Sequence, residues 1–210
     1  MADAVKRSYR STLREQQAHR TRGEIIDAAR ALFVAHGYAA TSIDDIAEAA
    51  GVARRTVYAI GGKPELMKLA YETAIVGDHD DDTLNDRPIV DAIRAEPNPL
   101  VALHLYLDMS CGICERTAQV HAALRAASGD ERVRVIFDGL QARRRDIAER
   151  LIVFFAGKGL RIARPDTAAD VLWTLIDPGL YHSYRYDCGW SAEQVSEWVH
   201  HTVEQQLVAT

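Results

Sequence analysis

Apolar residues recur along this chain at helical spacing, and alternating strand patterns are scarce. Between residues 18 and 36, Ile25, Ala29, Leu32, Phe33 and His36 fall on one stripe, and Gly37 follows where such a helix would end. Thr41 and Ser42 offer N-caps, and Asp44 and Asp45 stand three residues after each, the spacing of a capping box. Ile43, Ile46, Ala47 and Ala50 make the stripe of a short second helix, which Gly51 ends. A third short helix is expected over about 54–60. Gly61-Gly62 break it, and Pro64 suits the first turn of a fourth helix reaching about Val76.

Residues 77–87 are polar and acidic and read as a loop, with a short helix after it over 88–95. Longer helices are expected over about 99–117, 119–128, 131–157, 166–186 and 191–207. Ser191 with Gln194 caps the last, and Pro178-Gly179 interrupts the one before it. The pattern predicts an all-α fold: an N-terminal arm over 1–17, a three-helix head over 18–63 and a larger helical body over 64–210.

Composition changes this picture in one respect. The 210-residue chain carries a net charge of −5, which by itself points away from nucleic acid. The charge is unevenly placed. Residues 1–63 hold ten Lys/Arg against seven Asp/Glu, whereas the rest holds fifteen against twenty-three. Lys6, Arg7, Arg10, Arg14, Arg20 and Arg22 crowd the first 22 residues. A basic end on an acidic body suits a chain that meets phosphates with one part and does something else with the other. The three cysteines cannot all pair, which fits a reducing compartment. With no secretory leader pattern and no apolar run long enough to span a bilayer, a cytoplasmic protein with no membrane partner is expected.

The most informative stretch is 43–60. Two short helices flank Gly51-Val52-Ala53. Ala47 is small enough for close helix approach, Gly51 suits a turn with positive φ, and Val57 offers a β-branched plug between the helices. Ile46, Ala50, Val52 and Ile60 supply further apolar positions. This is the layout of a helix-turn-helix whose second helix enters the DNA major groove. Arg54 and Arg55 open that helix and can reach base edges or phosphates, and Thr56 and Tyr58 bring hydroxyls. Thr41 and Ser42, at the start of the preceding helix, form a natural phosphate seat.

The run Thr21-Arg22-Gly23-Glu24-Ile25-Ile26-Asp27-Ala28-Ala29, then Leu32-Phe33, Gly37-Tyr38, Thr41-Ser42-Ile43, Ile46-Ala47, Gly51-Val52, Thr56-Val57-Tyr58 and Gly62-Lys63-Pro64-Glu65-Leu66, resembles the head of the TetR family of bacterial one-component regulators. The likeness is dense over about residues 20–70. It implies a homodimeric transcriptional repressor on a double-stranded operator, released by a small-molecule effector bound in the body. It also implies that Tyr58 and Lys63 grip phosphate. The chain departs from the family pattern after Ile60, where an aromatic residue is usual and Gly61 follows directly.

The body carries weaker signals. Val195, Trp198, Val199 and Val203 form an apolar face on the last helix. With Leu172, Leu175 and Ile176 nearby, it is expected to build a four-helix dimer seam. His104, Asp108, Met109, Trp173, Asp177 and Tyr181 place polar and aromatic groups on otherwise apolar helices and are the candidate ligand pocket. Cys111 and Cys114 share a helix face, so they read either as small buried residues or as a thiol sensor. His79 with Asp80–Asp82 reads as a solvated loop rather than a cation site. No metal site or cofactor is expected. No phosphate loop, nucleophile elbow or His-Glu-x-x-His pattern points to an enzyme.

Overall fold

The computed structural model describes residues 2–79 and 83–209, with side chains from Glu15 onward. The arm's basic side chains Lys6, Arg7, Arg10 and Arg14, and Asp80–Asp82 of the acidic loop, lie outside the described residues. Ten α-helices follow one another among the described residues, with an isolated antiparallel bridge between Ile162 and Val208. The chain divides into two compact units after Tyr71, inside the fourth helix rather than before it.

The first unit contains α1 (Ala2–Ala40, broken at Gly37 with φ 77°), α2 (Ile43–Ala49), α3 (Arg54–Ile60) and the first half of α4 (Lys63–Val76). Its apolar positions bury where the periodicity put them. Ile25, Ala29, Phe33, Ile46 and Val57 keep none of their surface exposed, and the Phe33 and Tyr38 rings lie 5.7 Å apart. Leu66, Met67, Ala70 and Tyr71 of α4 are buried as well, which carries the unit past residue 63.

Of the two candidate capping boxes, only the second forms. Ser42 Oγ accepts from the Asp45 amide (3.1 Å) and Asp45 accepts from the Ser42 amide (2.8 Å). These hydrogen bonds, the backbone one foremost, hold the Asp45 carboxyl below its ordinary pKa. The Thr41 hydroxyl instead turns inward, 2% exposed, and donates to the Gly37 carbonyl at 2.8 Å.

The body comprises α5 (Pro88–Ala95), α6 (Pro99–Ala126), α7 (Glu131–Gly157), α8 (Pro165–Leu175), α9 (Pro178–His182, continuing as a π-turn over Ser183–Asp187) and α10 (Ala192–Leu207). The two helices expected over 99–117 and 119–128 are one. No breaker stands between them, and Thr117 bonds back to the Ile113 carbonyl at 2.7 Å without interrupting the helix. α6 is the spine: Leu103, Tyr106, Leu107, Cys111, Cys114 and Ala118 pack in a single core with Phe155, Leu172, Tyr181 and the inner face of α10. The end of α10 is tied to the α7–α8 loop by Ala163 N to Leu207 O (2.9 Å) and Ala209 N to Arg161 O (2.8 Å).

The helix expected over 166–186 is broken at Asp177 by Pro178, and charge closes the break. Asp177 caps α9 by accepting from the Gly179 (2.7 Å) and Leu180 (3.3 Å) amides. Arg144 of α7 pairs with Asp177 and donates to the Trp173 (3.0 Å) and Ile176 (3.1 Å) carbonyls left open at the end of α8. His121 of α6 is 2% exposed, packed by Gly179 and by the Phe137 ring at 5.7 Å.

Burial holds the His121 imidazole neutral and lowers its pKa to about 4, against the opposing pull of Asp177 and with the help of Arg144. The unfolded chain takes up this proton near pH 6.5 and the folded chain only near 4. Stability from this group is therefore present above pH 6.5 and lost as pH falls through that window. Between pH 7 and pH 5 the loss should be about 2 kcal/mol by denaturant unfolding. In His121→Leu that part of the pH dependence should vanish, and a variant with an unaltered slope would contradict the assignment.

Candidate nucleic-acid interface and body cleft

The turn between α2 and α3 is closed by backbone bonds. The Gly51 amide donates to the Glu48 carbonyl (3.1 Å) and the Val52 amide to the Ala47 carbonyl (3.0 Å), with Gly51 at φ 65°. A side chain at Gly51 would be strained in this left-handed conformation. Val57 is sealed inside, so the opposite side of α3 faces water. Arg54, Arg55 and Tyr58 are exposed, Tyr58 at 51%, and Thr56 is half-buried.

Arg54 is not loose. Its guanidinium donates to Asp44 of α2 at 3.2 Å and to the Tyr58 hydroxyl oxygen at 3.2 Å, and lies 5.5 Å from the Tyr58 ring centre. The Tyr58 hydrogen bond and then the Asp44 charge raise its pKa above the ordinary value. Arg55 has no such partner among the described residues. The sequence assigned Asp44 to a capping box with Thr41. The fold frees Asp44 from that role by turning Thr41 inward, and the ten-residue separation of Asp44 and Arg54 hides the pair from local pattern reading.

The shortened α3–α4 turn is accommodated by Gly61: a Cβ there would stand 2.8 Å from the Glu65 side chain. Lys63 opens α4 and points back at α1, where its Nζ donates to the Tyr38 carbonyl at 2.8 Å and lies 4.2 Å from the Tyr38 ring centre. The residue expected to grip phosphate is thus engaged inside the head. Ser42 is exposed, whereas buried Thr41 has its hydroxyl proton committed to Gly37.

In the body, the six candidate pocket residues do not converge. His104 and Asp108 face α10 instead, at 3.3 Å from Glu204 and 3.0 Å from His200. Met109 is half-buried against the core, and Trp173 lies 5.7 Å from both Arg144 and Arg145. Asp177 is spent on the α8–α9 break.

Only Tyr181 lines the cleft that does form, among α6, α8, α9 and α10. Its walls include Cys111, Cys114, Ile176, Tyr184 and Trp198, and it leaves about 10 Å³, on the order of one water. Tyr184, which shares a helical stripe with Tyr181, also lines the cleft, whereas sequence reasoning missed Trp198, because the bend at Pro178 decides which rings face α10. Burial pushes the Tyr181 hydroxyl up to about 12 and raises both thiols, and Cys114 Sγ donates to the Ile176 carbonyl at 3.3 Å. Thiols held protonated in this way are poor nucleophiles, so they read as cleft wall rather than as a sensor. Among the described residues no three His, Cys, Asp or Glu side chains gather to hold a metal, and no helix is long and apolar enough to cross a membrane.

The residues expected to form a dimer seam are used within the chain. Val195, Val199, Val203 and Leu172 are at most 3% exposed in its own core, with Trp198, Leu175 and Ile176 packed against them. The outer side of α10 is polar, with Glu193, Gln194, Glu197 and His201 exposed.

Together, a helix-turn-helix head with an exposed basic recognition face and a separate helical body define a DNA-binding transcriptional regulator. Residues 25–59, within the head, match the family model described as bacterial regulatory proteins, tetR family. No curated protein matches it.

Solved structures match along most of the chain. The fatty acid degradation regulator FadR from Bacillus halodurans is 20% identical, with a TM-score of 0.66, over 87% of this chain and 94% of its own. NalD, the secondary repressor of the MexAB-OprM multidrug efflux pump in Pseudomonas aeruginosa, is 21% identical with a TM-score of 0.66 over 91% and 98%. A putative TetR-family transcriptional regulator from Syntrophomonas wolfei is 16% identical with a TM-score of 0.69 over 91% and 95%. At these identities the likeness is one of fold.

The Lys63 clip predicts its own test. Lys63→Met keeps the aliphatic stem but removes the hydrogen bond and the cation over Tyr38, and should cost the folded chain about 1 kcal/mol in thermal or denaturant unfolding. Unchanged stability would mean that the ammonium is free for another task.

Proposed function

We propose that the chain is a repressor that binds a palindromic operator as a homodimer through α3 and is released by a small molecule bound in the body. The observation that carries the DNA-binding part is the exposed face of α3, with Arg54, Arg55 and Tyr58 on a helix locked from behind by Val57. One short helix makes few base contacts, so two heads acting on two half-sites are needed for a useful affinity.

Ligand release is supported by the position of α6. Cys111 and Cys114 of this helix line the cleft. Two residues further on, Arg116 donates to the Ala74 (3.1 Å) and Ile75 (2.9 Å) carbonyls at the end of α4. A ligand that moved α6 would therefore disturb the end of the helix that begins in the head. It shifts DNA binding only through its different affinity for the two states, and operator DNA must oppose it by the same factor. Fatty-acid and efflux regulators are among the fold relatives, and apolar or aromatic metabolites are the first compounds to screen.

With the inner face of α10 taken up, we place the dimer seam on α7. Ile136, Leu140 and Ile147 share one side of that helix, and Ile147 is 40% exposed. Ile147→Glu should shift the chain from dimer to monomer in sedimentation while leaving its helicity intact; a tight dimer would move the seam elsewhere.

DNA binding is tested by enriching duplexes from a random pool with the purified full chain. The enriched site should be a palindrome bound in a salt-sensitive complex, and Arg54→Ala/Arg55→Ala should lose it while retaining its fold. Undiminished affinity in the double variant would overturn the assignment.

A further inference from the structure

Asp44 adds a negative charge to the first turn of α2, a small contribution to the fold. Helix α2 is already capped by Ser42 and Asp45. The Asp44–Arg54 ion pair is open to water, with side chains 64% and 59% exposed, and such pairs contribute little stability. It nevertheless joins the first helix of the motif to the first residue of the recognition helix, and Tyr58 holds the same guanidinium from one turn further on.

We propose that Asp44 is a positioning residue that makes Arg54 a reader of guanine rather than a phosphate contact. This rests on the reading of the chain as a DNA-binding regulator. A phosphate brought to Arg54 would stand beside the Asp44 carboxylate, and two anions a few ångströms apart repel each other. A guanine edge is neutral and offers two acceptors, O6 and N7, to the donors that Asp44 and Tyr58 leave unused. Holding the side chain before DNA arrives also removes part of the ordering cost of binding. Arg55, which has no carboxylate partner among the described residues, is the arginine suited to phosphate.

The test uses the full chain and a duplex enriched from a random pool by the wild type. A parallel enrichment with Arg54→Ala identifies the G·C pair whose preference depends on Arg54. Changing that pair to A·T should weaken the wild type on the order of 10- to 100-fold. In Asp44→Ala, with helicity and melting unchanged, the penalty should collapse to a few-fold. Binding should also become more salt-dependent, its log–log slope steepening by about 1 as Arg54 turns to phosphate.

Asp44→Ala/Arg54→Ala should discriminate no worse than Arg54→Ala alone, because Asp44 acts through Arg54; a purely structural role would add a further loss. If the wild type enriches no sequence, the regulator reading falls and takes this inference with it. If it enriches a site and Asp44→Ala keeps the full G·C preference and the original slope, the inference is overturned while the regulator reading stands.

Discussion

Everything the head presents depends on the contact of α3 with α2 across the Gly51 turn. Val57 and Ile46, both without exposed surface, fix the rotation of α3 about its own axis. Once that rotation is set, Arg55 points away from the plug, and Arg54 and Tyr58, one turn apart, flank it at the exposed edge of the helix. The basic face is thus a consequence of where the apolar plug sits. A seven-residue helix has little stability of its own, so the tertiary contact and the backbone-closed turn maintain it.

The body obeys a different constraint. Its helices share one core that runs along α6, and the break at Asp177 is closed by Arg144. That arginine satisfies an ion pair and two open carbonyls together. Losing it would leave a half-buried carboxylate and free helix-end groups, whereas its presence lets the chain bend and bring Tyr181, Tyr184 and Trp198 beside Cys111 and Cys114. The cleft is a by-product of that bend.

This explains what was legible in the sequence. The all-α class, the helix-turn-helix, the Ser42 cap and the Gly51 turn were readable because each is set by residues within a few positions of one another. The single long α6 was misread as two helices because a stretch of modest periodicity near Thr117 resembles a boundary when neighbours are ignored. The face of α10 was recognised as apolar but assigned to a dimer seam: periodicity reveals that a face must be covered, not whether the cover is the chain's own core or a second copy. Asp44–Arg54 and Arg144–Asp177 were hidden for the same reason, since each pair joins separate helices and neither residue's identity names its partner.

The central claim is that the outward face of α3 enters the major groove at two equivalent half-sites. Dimethyl sulfate footprinting of an enriched duplex tests it most directly, because methylation at guanine N7 reports major-groove occupancy. The account predicts two symmetric clusters of protected guanines with centres about one helical turn, roughly 10 base pairs, or a multiple of it apart. A single cluster, or protection confined to adenine N3 in the minor groove, would contradict it.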